Sequence, residues 1–132
     1  MLSHTRALVA ASVFAFVTRR KVAGLYDHSQ GRDLRIAAEA RGDRLKGYDG
    51  DRKAEFAGML PEIHDAADDT FISMEIDGTK ARGYDRGSSS FYAAQVTDGL
   101  VQVFDHEDQT WHAYDVQDAD AAQSYLRGDA QG

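Results

Sequence analysis

The sequence predicts a mainly β protein: an antiparallel meander of about ten short strands, built as five hairpin repeats and closed or strongly curled into a barrel. An apolar N-terminal helix and a short C-terminal helix flank it. Three observations lead there. Asp65, Asp85 and Asp105 recur every twenty residues, as do Phe71, Phe91 and Trp111, and Ile76, Val96 and Val116. The stretches beside each aspartate alternate, as in Phe71-Ile72-Ser73-Met74-Glu75-Ile76, which is the period of a strand. Polar runs such as DAADDT, DRGSS and DHEDQ separate them, with an aspartate placed to accept backbone N–H bonds in a turn.

Residues 1–20 come first. Ala7 to Val17 reads ALVAASVFAFV, with Ser12 its one polar residue. As a helix it would be about 16 Å long, against the roughly 30 Å of a bilayer core, so it cannot span alone. An apolar run behind Arg6 suits a signal peptide, but TRRK follows at once and no small-x-small cleavage site appears. Two readings remain beside a targeting signal. The helix covers one face or mouth of the body, since a helix apolar all round is usually buried. Alternatively it docks to a membrane surface or a larger protein assembly through Leu8, Val9, Val13, Phe14, Phe16 and Val17, with Arg19, Arg20 and Lys21 facing anions.

Residues 21–116 hold the repeat, in units beginning near Lys21, Leu45, Leu60, Lys80 and Leu100. Gly24-Leu25-Tyr26-Asp27 and Gly47-Tyr48-Asp49 match Gly83-Tyr84-Asp85. In the first two units Leu34 and Phe56 follow the aspartate by seven residues instead of six and are aligned with the aromatic column. RGD, DGT and TDG between units are hairpin signals, and Met59-Leu60-Pro61 makes a shorter link. Closing the sheet removes edges that would otherwise pair with other chains. The expected core is Ile72, Met74, Ile76, Tyr92, Ala94, Val96, Leu100, Phe104, Tyr114 and Val116. Phe71, Phe91 and Trp111 take the opposite face, side by side as a row. Residues 117–132 read as a short helix with Asp118 as N-cap and Gly128 past its end, then a fraying tail.

The unit YDHSQGR, Tyr26 to Arg32, resembles the tyrosine-aspartate repeats of bacterial Rhs-type shell proteins, which also run strand, Tyr-Asp, turn, Gly-Arg. The resemblance lies in hairpin chemistry. The other units share only the Tyr, Phe or His before aspartate, and Gly-Arg is missing after Asp49, Asp65, Asp85 and Asp105.

Composition bounds the function. The chain of 132 residues is long enough for one domain with its own core. It has no cysteine, which removes disulfides, thiol catalysis and thiolate metal sites. Residues 1–26 carry four basic residues and no acid, whereas the remainder carries 11 basic against 22 acidic residues. An acidic body repels phosphates, so no nucleic-acid partner is expected.

Candidate chemistry is sparse. Asp49, Asp51, Asp85 and Asp105 are weak Ca²⁺ candidates, since Ca²⁺ takes six to eight oxygens, but turn capping is the simpler role. His28, His64 and His106 neighbour repeat aspartates without equivalent geometry. Ser88, Ser89 and Ser90 with His106 and Asp105 make a triad on paper, yet no nucleophile elbow surrounds the serines. Phe71, Phe91 and Trp111 suit stacking on a sugar or a protein, or plain cross-strand packing.

The expectation is therefore a non-enzymatic scaffold or accessory subunit without a cofactor, docked through its N-terminus. A calcium- or carbohydrate-binding module is the alternative. A homo-oligomer is compatible with either. Placement is read as cytoplasmic or membrane-peripheral, with secretion and organelle import as open alternatives.

Overall fold

The structure is a computed structural model that describes residues 1–118. Helix α1 (Ser3–Thr18) precedes β1 (Val22–Asp27), β2 (Arg32–Leu34), β3 (Ile36–Arg41), β4 (Arg44–Asp49), β5 (Ala54–Met59), β6 (Glu62–Asp65), β7 (Thr70–Ser73), β8 (Glu75–Asp77), β9 (Lys80–Asp85), β10 (Ser90–Thr97), β11 (Leu100–Asp105) and β12 (Thr110–Asp118). Neighbours pair antiparallel, β9 with β10 and β12 with β1, so the sheet closes on itself. Arg35 interrupts β2/β3 and Met74 interrupts β7/β8, each pair serving as one strand of a ten-stranded barrel.

Turn chemistry repeats at one end. Asp27, Asp49, Asp65, Asp85 and Asp105 each end a strand. Each accepts, through Oδ1, the amide two residues on: Ser29 at 2.8 Å, Asp51 at 3.0, Ala67 at 3.2, Gly87 at 3.1 and Glu107 at 2.9. Four residues after each aspartate stands a left-handed residue: Gly31, Lys53, Asp69, Ser89 or Gln109. Five turns of unlike sequence therefore share one geometry, fixed by the aspartate. At the opposite end the links are two residues long: Gly42-Asp43, Leu60-Pro61, Gly78-Thr79 and Asp98-Gly99. Gly42, Gly78 and Asp98 have positive φ, as the tight hairpin turns that match strand twist require.

Helix α1 does not lie across a face or a mouth; it runs through the barrel. Leu8 to Phe16 are buried on every side, and α1 contacts β1, β3, β4 and β8 through β12. Ten strands about 4.8 Å apart, tilted by about 40°, put the wall about 10 Å from the axis. A helix with its side chains is about 10–12 Å wide, so it fits where Ala7, Ala10, Ala11 and Ala15 keep it thin. The one polar intruder, Ser12, returns its hydroxyl to the Leu8 carbonyl at 2.7 Å. The docking reading of residues 1–20 is corrected accordingly. Leu8, Val9, Val13, Phe14 and Phe16 are barrel core, Val17 is half-buried, and only Arg19, Arg20 and Lys21 are exposed.

Inward positions complement one another across strands. Gly47 faces Phe56 and Gly83 faces Tyr92; a Cβ on Gly47 would fall 2.2 Å from the Phe56 ring. Where the glycine is replaced by Leu25 or Ile63, the partner is Leu34 or Ile72. Of the expected core, Ile72, Met74, Tyr92, Ala94, Val96 and Tyr114 are buried, and Ile76 and Val116 pack partly against it. Leu100 and Phe104 sit on the outer face instead. In β11 the inward residues are Val101, Val103 and Asp105, and a strand register one residue out exchanges the faces. Gln117 and Asp118 belong to β12, so the expected C-terminal helix does not begin there; the rest of it lies outside the described residues.

Candidate functional site: the aspartate turns and an outer aromatic band

All five repeat aspartates are buried around the mouth where α1 begins. The positive pole of a helix stabilises nearby carboxylates, and fixed cations add to it. The Met1 α-amino group bonds Asp105 Oδ2 at 3.0 Å and also Glu107. Arg6 reaches the same Asp105 oxygen at 3.1 Å. Arg52 donates to Asp49 at 2.7 Å and to Asp65 at 3.1 Å. Burial opposes ionisation of Asp105, but the Glu107 amide, the amino terminus and Arg6 outweigh it, and its pKa falls below the usual 3.8. Burial likewise opposes the charged amine, yet Glu107 and Asp105 raise its pKa above 8.0.

Two groups at this mouth have metal-ligand spacing: His4 with Asp65 and Asp68, and Asp105 with Asp108 and His112. In both, a protein cation already fills the position. Arg52 holds Asp65 and approaches Asp68 at 3.7 Å, and Met1 with Arg6 holds Asp105. The Ca²⁺ candidates do not converge. Asp49 and Asp51 are in the second turn, engaged by Arg52 and Arg35. Asp85, in the fourth, takes the Gly87 amide and the Ser88 hydroxyl.

Ser29, His112 and Asp108 form a hydrogen-bonded chain that the sequence did not suggest. Ser29 Oγ lies 2.9 Å from His112 Nδ1, and His112 Nε2 lies 2.7 Å from Asp108 Oδ2. The order matches nucleophile, base and carboxylate. However, the amides of Ser29 and Gln30 both go to Asp27 Oδ1, which takes away the nearest donors an oxyanion would need. What the chain does is tie the first aspartate turn to the fifth, across the β12–β1 seam. Of the serines in the triad that could be drawn on paper, Ser88 bonds Asp85 and Ser90, while His106 stacks on Phe104 outside.

The outer wall carries a second feature. His64 pairs with Phe71, Tyr84 with Phe91, and Phe104 with Trp111, at ring separations of 4.7, 4.8 and 5.2 Å. These six rings occupy six successive strands at the aspartate end, a band that follows an arc of about 24 Å around half of the barrel. Phe91 is 63% exposed, Trp111 49% and Phe71 41%. The expected row is thus present with a different arrangement. Phe71, Phe91 and Trp111 lie two strands apart, about 10 Å, and each stacks on its own hairpin partner. The column also stops at three units. Leu34 and Phe56, matched to it by sequence, point inward like Ile72 and Tyr92, and Asp33 and Glu55 take the outer places.

Residues Arg19 to Lys21 sit at the opposite end. Arg19 donates to the Gly42 carbonyl and Lys21 approaches Glu39 at 3.4 Å, fastening the segment after the helix to the wall. Among the described residues no helix is long and apolar enough to cross a membrane. No family model, curated protein or solved structure matches the chain.

Proposed function

We propose that the protein is a non-enzymatic accessory subunit whose barrel offers the outer aromatic band to a protein partner in a larger assembly. The observation that carries this is the exposure of Phe71, Phe91 and Trp111 on alternate strands around the outer wall, whose other exposed residues are mostly polar, such as Lys46, Arg82 and Glu55, with Tyr48 and Met59 as apolar exceptions. Contiguous exposed apolar patches mark interaction sites, and aromatic anchors dominate binding energy. The band replaces the N-terminal helix as the docking element, because the helix is occupied as core.

A photo-crosslinking residue at Phe91, installed in the native cell, tests the reading against the same residue at Ala37, exposed on β3 away from the band. Position 91 should give one defined adduct and position 37 none. The partner identified from it, once purified, should bind Phe91→Ser/Trp111→Ser at least about tenfold more weakly. Equal affinity for both proteins overturns the reading. So does a glycan that quenches Trp111 fluorescence, which would transfer the band to carbohydrate binding.

A further inference from the structure

The closed wall has one local gap. β8 pairs with β9 on one side only; among the described residues its other side has no strand beside it. The cause is the shortness of β6 and the chain's single proline. Met74 donates its amide to the Pro61 carbonyl at 2.8 Å, continuing the β6–β7 ladder by one rung. Pro61 has no N–H to return, so the Met74 carbonyl is left over. The chain has turned away at Leu60-Pro61, so no strand among the described residues stands opposite Ile76. In the β8–β9 ladder Glu75 and Asp77 turn their peptide groups toward β9, and the alternation of an antiparallel pair turns those of Ile76 away. An acceptor at Met74, a donor at Ile76 and an acceptor at Ile76 therefore line up on one open edge.

Beside that edge is a cleft of about 1120 Å³. Its apolar part is formed by Phe16 at the end of α1, with Leu60, Pro61, Met74, Ile76 and Ala81. The depression continues over the outer wall past Ala93 to Trp111. Coincidence of an unpaired strand edge with an apolar cleft is the arrangement that strand-adding receptors use: main-chain bonds supply affinity and pockets read alternate side chains. We propose that β8 receives an extended segment of another polypeptide, which adds as a strand to the Met74–Ile76 edge and places an apolar side chain against Leu60 and Ile76, the accessible apolar residues of the cleft. This surface meets the aromatic pairs only at Trp111, and the open strand edge at its centre does not depend on their reading.

The probe is a displayed library of seven-residue peptides with alternating apolar and polar positions, selected on the intact protein. Hydrogen exchange of the free protein comes first: the Ile76 amide should exchange much faster than the Ala81 amide, which lies inside the β9–β10 ladder. A resynthesised peptide should then protect Ile76 and shift its amide resonance. Ile76→Pro, which keeps an apolar side chain and is tolerated at a strand edge, should weaken it about tenfold, the loss of one backbone hydrogen bond. An Ile76 amide already protected in the free monomer overturns the proposal without any variant. Protection within a dimer would give the edge to a second copy and also overturn it. Failure to select a peptide, or peptides that bind Ile76→Pro unchanged or perturb only the aromatic band, does the same.

Discussion

Removing residues 1–20 should unfold the barrel. Leu8, Val9, Val13, Phe14 and Phe16 are all essentially inaccessible inside the wall. At about 1.5–3 kcal/mol for each buried side chain, the five contribute about 8–15 kcal/mol. That equals the whole stability of an ordinary domain, about 5–15 kcal/mol, before counting the lumen left open. Far-UV circular dichroism and a urea titration of the shortened chain are the assay. The expected result is loss of the strand signal and of a cooperative transition, with both restored when a synthetic peptide of residues 1–20 is supplied in trans. A shortened chain that keeps its strand signal and unfolds with the wild-type m-value would refute the placement of α1 as core, since m follows the surface exposed on unfolding.

Three further outcomes are expected. Gly47→Ala should cost about 1–3 kcal/mol by overpacking the Phe56 ring, and Phe56→Leu about 1–2 kcal/mol, less than full truncation to Ala. The double variant should be better than their sum by more than about 0.5 kcal/mol in chemical denaturation. Asp105→Asn should lower stability near neutral pH by about 3–5 kcal/mol, since it leaves the buried amine and Arg6 without their shared carboxylate. It should also flatten both ends of the pH–stability curve. The raised pKa of the Met1 amine makes its contribution complete below pH 8.0 and lost as pH rises through the folded value. The lowered pKa of Asp105 makes its contribution complete above pH 3.8 and lost as pH falls through the folded value. Phe91→Ser, on the outer wall, should lower stability in a urea titration by no more than about 1 kcal/mol, the worth of its cross-strand pair with Tyr84, and leave the fold intact, so that loss of partner binding by this variant reads as loss of contact.

The hairpins were legible because their signals are local. An aspartate that caps its own turn and a period of two on either side need no knowledge of distant residues. The placement of α1 was legible only in part: uniform apolarity says that a helix is buried, but the lumen exists only after ten strands have closed. The aromatic column was over-extended because Leu34 and Phe56 were matched by residue type, whereas their seven-residue offset from aspartate places them with Ile72 and Tyr92 inside. Leu100 and Phe104 were misassigned because LVQVF has apolar residues in both phases and only the aspartate, itself inward, sets the register. The Ser29–His112–Asp108 chain had no sequence signal. Asp108 and His112 are four residues apart, but Ser29 reaches them only across the closing seam, 83 residues from His112 along the chain.

The Met1–Asp105 contact joins the first residue to one 104 positions later. During synthesis the helix emerges first and has no walls; the hairpins that follow can form one at a time, but none encloses it. Only when β12 leaves the ribosome can it pair with β1 and seal the cylinder around its axle. Closure is thus a late step that rests on a distant pairing, the kind that is slow to form, and until that moment the chain carries an uncovered apolar rod that chaperones would be expected to hold.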